Sequence, residues 1–122
     1  MTFTTIDNLS RPSEDPVRVK NCSTFWDKFR GLMFSPQIPV NGGILLAENR
    51  ESLTGTAIHM FFMRFDIAVV WINSKFEVVD CKIAKKWKAA IFPKNAAQYV
   101  LETHKDNLYK FHIGDVVVFK YD

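Results

Sequence analysis

The chain contains 122 residues, a length that suits one domain built around one hydrophobic core. Its content of 48% hydrophobic and 14% aromatic residues excludes an intrinsically disordered protein. The net charge of +3 is too small to indicate nucleic-acid binding by itself.

The first part of the chain predicts two strands separated by a loop. The opening residues MTFTTIDNLS are polar and contain no apolar export signal, so we expect a cytoplasmic protein. Met1–Ile6 alternates and predicts a short edge strand, whereas the turn-forming residues of Asn8–Pro16 predict a loop. We therefore expect residues 1–16 to be partly flexible. Val17–Lys20 alternates again and predicts a strand.

A single helix is predicted, over about Thr24–Met33. Either Ser23 or Thr24 can act as its N-cap, and the apolar residues that follow have helical spacing. These apolar residues are Phe25, Trp26, Phe29, Leu32 and Met33. Pro36 and Pro39 then end the helix, because proline cannot continue a helical hydrogen-bond ladder.

Apolar runs bounded by turn residues predict strands for most of the remaining chain. The predicted strands cover residues 44–46, 56–63, 67–72, 76–83 and 116–121. Residues 96–103 are compatible with a strand or a helix, and Tyr99 and Val100 favour a strand. Asn73–Lys75 is predicted as a hairpin turn and Gly114–Asp115 as a second turn, while 49–55 is predicted as a polar loop and 106–113 as irregular. These elements predict a mainly β fold, a compact sandwich or barrel of seven or eight short strands with one short helix.

The most apolar stretch is Ile58–Asn73, which reads IHMFFMRFDIAVVWIN. Arg64 and Asp66 interrupt it, so it lacks the roughly 20 uncharged residues of a membrane span, and we expect no membrane association. Its β-branched and aromatic residues favour strands over a helix. A bend at Arg64–Asp66 would allow the chain to contribute to two sheets, as strands do at a sandwich corner.

Five motifs occur in an order that is typical of a known family. They are FRGLM at 29–33, GGILL at 42–46, IHMFFMRFDIAVVWI at 58–72, AAQYVLE at 96–102 and GDVVVF at 114–119. From about Val17 to its end, the chain resembles the bacterial and archaeal family called domain of unknown function 192 (DUF192). The resemblance implies a mainly β, jelly-roll-like single domain, here residues 1–122, and it implies no particular reaction.

Two departures from the family pattern bear on the site and on a turn. The family's FPID reads Phe65-Asp66-Ile67-Ala68 here, so Ala68 stands at the acidic position. Because residues two apart on a regular strand share a face, Asp66 is a candidate replacement for that acid. The family's turn glycine is Phe76 here, a bulky residue that tolerates positive φ poorly.

Five polar residues are candidates for a ligand-binding cleft near Met63–Asp66, whose occupant would be a small molecule or a protein. They are Arg30, His59, Arg64, Asp66 and Glu102. Arg64 could hold a carboxylate or phosphate by two parallel hydrogen bonds. Purely structural alternatives are favoured for Arg64, Asp66 and His59: an Arg64–Asp66 ion pair at a strand corner, and a half-buried His59 with a backbone partner. Arg30 is likewise favoured as a clamp between the helix and a strand.

Enzymatic and metal-binding functions have weaker support. Glu102 and His104 are two residues apart and could share a strand face, but acid–base catalysis would need an orienting group and a metal would need further ligands. Cys22 has no neighbouring histidine, and no Gly-x-Ser-x-Gly motif occurs in the sequence. We expect no metal or other cofactor, and free thiols at Cys22 and Cys81, which lack CxxC spacing.

The alternative function is nucleic-acid binding through a basic patch. Lys85, Lys86 and Lys88 surround Trp87, and Lys82 and Lys94 extend the patch. Lysines would contact phosphates and the indole would stack on a base. A solvated loop with Trp87 folded inward is the favoured interpretation, and a buried indole would remove the stacking surface.

Overall fold

The structure is a computed structural model that describes residues 2–22, 31–33 and 35–122. The strands are β1 Phe3–Asn8, β2 Val17–Cys22, β3 Gly43–Ser52, β4 Ile67–Ile72, β5 Val78–Ala84, β6 Ala97–His104 and β7 Val117–Tyr121, and a 3-10 helix, Lys105–Lys110, lies between β6 and β7. The predicted mainly β fold is therefore confirmed. Most of the helix predicted over Thr24–Met33 lies outside the described residues. Its last three residues, 31–33, are described and form a turn.

All the described strands belong to one curled sheet. Their order is β5-β4-β6-β3-β2-β1-β7, and only β2 and β3 pair in parallel. The sheet curls until its two edges meet. There Glu77 pairs with Val116, and the Val117 N–H donates to the Phe76 carbonyl at 2.9 Å. The result is a half-barrel, so the expectation that a bend would pass the chain between two sheets is wrong.

Strand β4 lies at the centre of the core and is buried on both faces. Ile67, Val69 and Trp71 pack in one apolar cluster, while Val70 and Ile72 pack in a second cluster on the opposite face. A strand covered on both sides needs apolar residues at every position, which explains its uninterrupted sequence. Its observed bounds match the predicted strand 67–72.

The strand predicted over Thr56–Met63 is wrong. Only Ile58 forms a β-bridge there, with Ile91. Met60 and Met63 are buried three residues apart, and Phe62, which lies between them, has a φ of 61°. This left-handed conformation is incompatible with a strand, so the segment is a loop whose apolar side chains cover the first cluster.

Three further predictions need correction. Strand β1 pairs with both β2 and β7, so it is an interior strand and not an edge strand. Strand β3 continues to Ser52 through a register shift after Ala47, and so occupies part of the predicted polar loop 49–55. Residues predicted as irregular form the 3-10 helix, in which the Asp106 N–H donates to Nδ1 of His104 at 3.1 Å.

The hairpin turn between β4 and β5 is confirmed, and it does require positive φ at the position of the family glycine. Phe76 has a φ of 62°. Its ring stacks on Tyr99 at 5.6 Å between centroids and meets the edge of Phe119 at 5.2 Å. These ring contacts offset the cost of the left-handed backbone, which is about 1–3 kcal/mol.

Candidate functional site

A cleft of about 470 Å³ opens beside the bend that precedes β4. We call it the Asp66 cleft, and it is lined by Pro36, Gln37, Ile38, Val40, Phe65, Asp66, Lys86, His104 and Lys105. Its polar groups come from three places that the sheet brings together: the bend before β4, the loop after β5 and the end of β6. Pairing of Ile67 with both Ala84 and His104 sets these three segments side by side. Apolar walls with a few polar groups are typical of small-molecule sites.

Asp66 is the acidic residue of this cleft and is held by the loop that follows β5. Its Oδ1 accepts the backbone N–H of Lys86 at 2.9 Å, and its Oδ2 lies 3.5 Å from Nζ of Lys85. The Lys86 N–H, and secondarily the Lys85 charge, lower the pKa of the Asp66 carboxyl against a smaller opposing effect of burial. The carboxylate is therefore ionised and already has partners of its own.

The rest of the cleft is cationic. His104 uses Nδ1 to accept the Asp106 N–H, so its neutral imidazole carries the hydrogen on Nε2 and can donate it. Among the described residues, the structure shows no ion pair within 4.0 Å for Nζ of Lys86 or Lys105. Two lysines and one carboxylate that is already paired line the cleft, so its lining has a net positive charge.

Glu102 is a buried acid on β6, two residues before His104, and does not line this cleft. It is 6% exposed, and it pairs across the sheet with Ile44 and Val69. No side-chain hydrogen bond or ion pair of Glu102 occurs among the described residues, and burial raises the pKa of its carboxyl to about 7. It shares a strand face with His104, about 7 Å further along β6.

A second cleft of about 360 Å³ lies on the other side of Lys86. We call it the Trp87 cleft, and it is lined by Phe62, Met63, Arg64, Lys86 and Trp87. The rings of Phe62 and Trp87 contact each other at 5.1 Å between centroids and are 46% and 56% exposed. The expectation that Trp87 folds inward is therefore wrong.

The loops that carry these two aromatic residues are joined through their backbones. The Trp87 N–H donates to the Met60 carbonyl at 2.7 Å, and the Met60 N–H donates to the Lys88 carbonyl at 2.8 Å. Both Phe62 and Trp87 have left-handed backbones, with φ of 61° and 71°. Large exposed side chains at such positions are uncommon and point to a role for the rings.

The five residues predicted to share one cleft are distributed as follows. Asp66 lines the Asp66 cleft and Arg64 the Trp87 cleft, so the predicted Arg64–Asp66 ion pair is replaced by a pair between Asp66 and Lys85. His59 lines neither cleft; its Nδ1 accepts the Phe61 N–H at 3.3 Å, the backbone partner expected of a structural histidine. Glu102 is buried and lines neither cleft, and Arg30 lies outside the described residues.

The basic residues of the alternative site also separate into two groups. Lys85, Lys86 and Lys88 are exposed around Trp87. Lys82 instead has a structural position, since its ammonium donates to the Phe92 carbonyl at 2.9 Å and lies 3.2 Å from Asp80. Of the three loop lysines, Lys85 pairs with Asp66, whereas Lys86 and Lys88 have no acidic partner among the described residues.

Metal-binding geometry does not occur in the described part of the chain, where no three His, Cys, Asp or Glu side chains gather around one point. Cys22 and Cys81 belong to opposite faces of the sheet, so no disulfide joins them. No helix within residues 2–22, 31–33 and 35–122 is both long enough and apolar enough to cross a bilayer.

Asp66 does not share a strand face with position 68, where the family has its acidic residue, although strand spacing predicts that it does. Ala68 is fully buried within β4, opposite Thr103, whereas Asp66 lies in the bend outside the strand. The same-face rule applies only to a regular strand, so the two positions reach different surroundings.

Comparisons with known proteins agree on the family. The DUF192 family model, described as an uncharacterized ACR, matches residues 8–119. UPF0127 protein TK1120 of Thermococcus kodakarensis is 45% identical over 85 residues, which are 70% of this chain and 52% of that protein. UPF0127 protein PF1050 of Pyrococcus furiosus is 34% identical over 95 residues, 78% of each chain. The chain spans about half the length of the Thermococcus relatives that it matches.

Two crystal structures share the fold. A protein of Sinorhizobium meliloti, named as a candidate transcription regulator, aligns with a TM-score of 0.81 at 16% identity, over 97% of this chain and 92% of that one. A Novosphingobium aromaticivorans protein of unknown function aligns with a TM-score of 0.78 at 15% identity, over 95% and 83% of the two chains. At such identities the likeness shows the fold and carries no function.

Proposed function

The chain belongs to the DUF192 family, whose relatives are named UPF0127 proteins, and we propose that it is a binding module for a small anionic molecule in the Asp66 cleft. One observation carries this proposal: a partly apolar cleft is lined by two lysines, Lys86 and Lys105, whose ammoniums have no acidic partner among the described residues. Unpaired cations beside apolar walls attract a ligand with a carboxylate or phosphate and an apolar body.

Asp66 organises the cleft without competing for its cations. Its carboxylate is occupied by the backbone N–H of Lys86 and the ammonium of Lys85, so the ammoniums of Lys86 and Lys105 remain available. His104 also lines the cleft, and with Nδ1 accepting the Asp106 N–H its Nε2 can act as a hydrogen-bond donor. This arrangement supports recognition of an anion by two charges and one directional hydrogen bond.

The size of the cleft suits a small molecule. Its volume of about 470 Å³ falls in the range of known ligand pockets, which is about 300–1,000 Å³. Ile38, Val40 and Phe65 form apolar wall that would contact the uncharged part of the ligand. Burial of that part adds about 25 cal/mol per Å² of apolar surface to the charge attraction.

The test is an NMR titration of the protein with inorganic phosphate, succinate and benzoate. We expect saturable shifts of the backbone amides of Lys86, His104 and Lys105, and a loss of at least fivefold in affinity in Lys105→Gln and in Lys86→Gln. The Lys86 variant keeps its bond to Asp66, because that bond uses the backbone N–H. Lys75→Gln, an exposed lysine in the β4–β5 turn, is the matched control and should bind as the wild type does.

Shifts that do not saturate, or that all three variants share equally, would overturn the proposal. An equal loss of affinity in Lys75→Gln and Lys105→Gln would mean that the anion binds through the overall charge of the protein and not in the cleft.

Nucleic-acid binding is the second candidate, and the 56% exposure of the Trp87 ring favours it. Exposed indole and three neighbouring lysines form the kind of surface on which single strands stack. Titration of a fluorescent oligothymidine should then give an affinity that falls with salt concentration. A flat titration at low salt would remove this candidate.

A further inference from the structure

Lys86 lines both the Asp66 cleft and the Trp87 cleft, so the two concavities are neighbours with a shared wall. The position of this wall is fixed from both sides. The Lys86 N–H is bonded to Asp66, and the next N–H along the chain, that of Trp87, is bonded to the Met60 carbonyl. One ligand can therefore extend from one cleft into the other across Lys86, whose backbone is held in place by these hydrogen bonds.

The two clefts offer different chemistry. The Trp87 cleft presents the exposed aromatic residues Phe62 and Trp87, whose rings contact each other, and Arg64 also lines it. Aromatic rings and a guanidinium plane are stacking surfaces for a flat heterocycle. The Asp66 cleft presents Lys105 and His104, which suit a phosphate.

The strained backbones of Phe62 and Trp87 show that ring placement is costly to the fold. Each left-handed non-glycine residue costs about 1–3 kcal/mol unless its surroundings offset it. Phe76 is the other non-glycine residue with positive φ in the described chain. Its backbone strain is offset by packing of its ring against two rings in the second apolar cluster. Trp87 is more than half exposed, so its strain positions a ring toward solvent and not into the core.

We propose that the anionic ligand is a nucleotide, with its base against Phe62 and Trp87 and its phosphate held by Lys86, Lys105 and His104. This inference rests on the proposed function, because the phosphate occupies the Asp66 cleft. A free mononucleotide and the phosphorylated end of a single strand share this chemistry.

The experiment compares AMP, ribose 5-phosphate and adenosine by NMR titration of the full chain. We expect AMP to bind at least tenfold more tightly than either fragment, with shifts at both clefts. Ribose 5-phosphate should shift the amides of Lys86, His104 and Lys105 and leave the amide of Phe62 unchanged.

Trp87→Asn removes the ring while keeping a residue that tolerates the left-handed backbone. In this variant the affinity for AMP should fall to that for ribose 5-phosphate, and the affinity for ribose 5-phosphate should not change. Tyr121→Asn is the matched control, since Tyr121 is a 67% exposed aromatic residue on β7. It should bind AMP as the wild type does. A fold check by circular dichroism accompanies both variants.

Each alternative result has a defined meaning. If AMP and ribose 5-phosphate bind equally well in the wild type, the nucleotide inference falls and the anion-binding function stands. If succinate or benzoate binds in the cleft but no phosphate ester does, the inference again falls alone. If none of these anions binds, the proposed function falls with it. Binding to phosphatidylserine vesicles without binding to AMP would overturn the inference in favour of a lipid surface.

A last comparison identifies the source of the nucleotide. A 5′-phosphorylated oligothymidine that binds more than tenfold more tightly than the mononucleotide, with strong salt dependence, assigns the site to the end of a single strand. Equal affinities assign it to a free nucleotide, and both results support the shared chemistry.

Discussion

The carboxylate of Asp66 accepts the backbone N–H of Lys86 at 2.9 Å, a bond that ties the bend before β4 to the loop after β5. The two residues are 20 positions apart in the chain, and each lines the Asp66 cleft. Both candidate clefts therefore depend for their shape on this contact between two connecting segments.

Replacement of Asp66 by Asn should lower the free energy of unfolding by about 1 kcal/mol or less at pH 7, because the carboxylate is partly exposed and solvent screens it. The pKa of Asp66 is lowered in the folded state, so its stabilisation is present above the unfolded pKa of about 3.9 and is lost as pH falls through the lower folded value. Urea unfolding of the wild type and Asp66→Asn should thus differ at pH 6 and converge near pH 2.5. An equal difference at both pH values would contradict this assignment, and Asp106→Asn serves as an exposed control.

Glu102 should make the protein less stable as pH rises toward neutrality. Burial raises its folded pKa to about 7, above the unfolded value, so the folded state binds the proton more tightly. Stability is then greatest below the unfolded pKa of about 4.3 and declines as pH rises through the folded value, by a total of about 3 kcal/mol. Glu102→Gln, which cannot ionise, should remove most of this decline and be the more stable protein at pH 8.

The measurement is urea unfolding of the two proteins at pH 5 and pH 8. A decline of the same size in Glu102→Gln would show that another group is responsible for the pH dependence.

Gly43 should not tolerate a side chain. A Cβ at this position would overlap the backbone carbonyl oxygen of Glu102 and would lie 2.9 Å from Cα of Thr103, and the φ of +144° is unfavourable to any L-residue. We expect Gly43→Ala to destabilise the protein by about 3 kcal/mol or more, because backbone and not a flexible side chain must move. Gly114→Ala is the control: its φ is +95° but no atom lies within 4 Å, so only the conformational cost of about 1 kcal/mol applies.

Thermal unfolding of both glycine variants checks this difference. Similar melting temperatures for the two would mean that β3 and β6 separate easily at this point.

Trp87→Gly and Phe76→Gly should have opposite effects on stability although both relieve a left-handed backbone. The Trp87 ring is mostly exposed, so its removal should leave stability unchanged or raise it by about 1 kcal/mol. The Phe76 ring packs on Tyr99 and Phe119, and its loss should outweigh the relief by about 1–2 kcal/mol. A destabilised Trp87→Gly would indicate that the ring is part of the fold and not a binding surface.

The sequence was most informative where burial follows a simple pattern. Ile67–Ile72 is apolar at every position because both faces of β4 are covered, and its bounds were predicted as observed. The segment before it was misassigned, since Ile58, Met60 and Met63 have strand-like composition but are buried at loop spacing around a left-handed Phe62. The composition of this segment indicates that its side chains are buried, whereas the path of its backbone depends on hydrogen bonds with residues 88–91.

The candidate site was predicted only in part, for a related reason. Asp66 could be recognised as a charge within an apolar stretch, and Lys86 as part of a basic loop. Lys105 carries no such signal, because it joins the cleft only through the pairing of Ile67 with His104. Such a pairing between residues 37 positions apart is set by the whole sheet and by no local pattern.

The meeting of β5 and β7 at their first residues affects how copies of this chain encounter one another. A free strand edge is a template onto which another molecule can add its own strand, and repeated addition leads to fibrils. Here the segments that enter the two outermost strands meet at the Glu77–Val116 bridge, where the Val78 N–H donates to the Asp115 carbonyl and the Val117 N–H donates to the Phe76 carbonyl. An incoming strand finds only part of either edge open, so the curl of the sheet reduces the length of edge onto which another copy could add a strand.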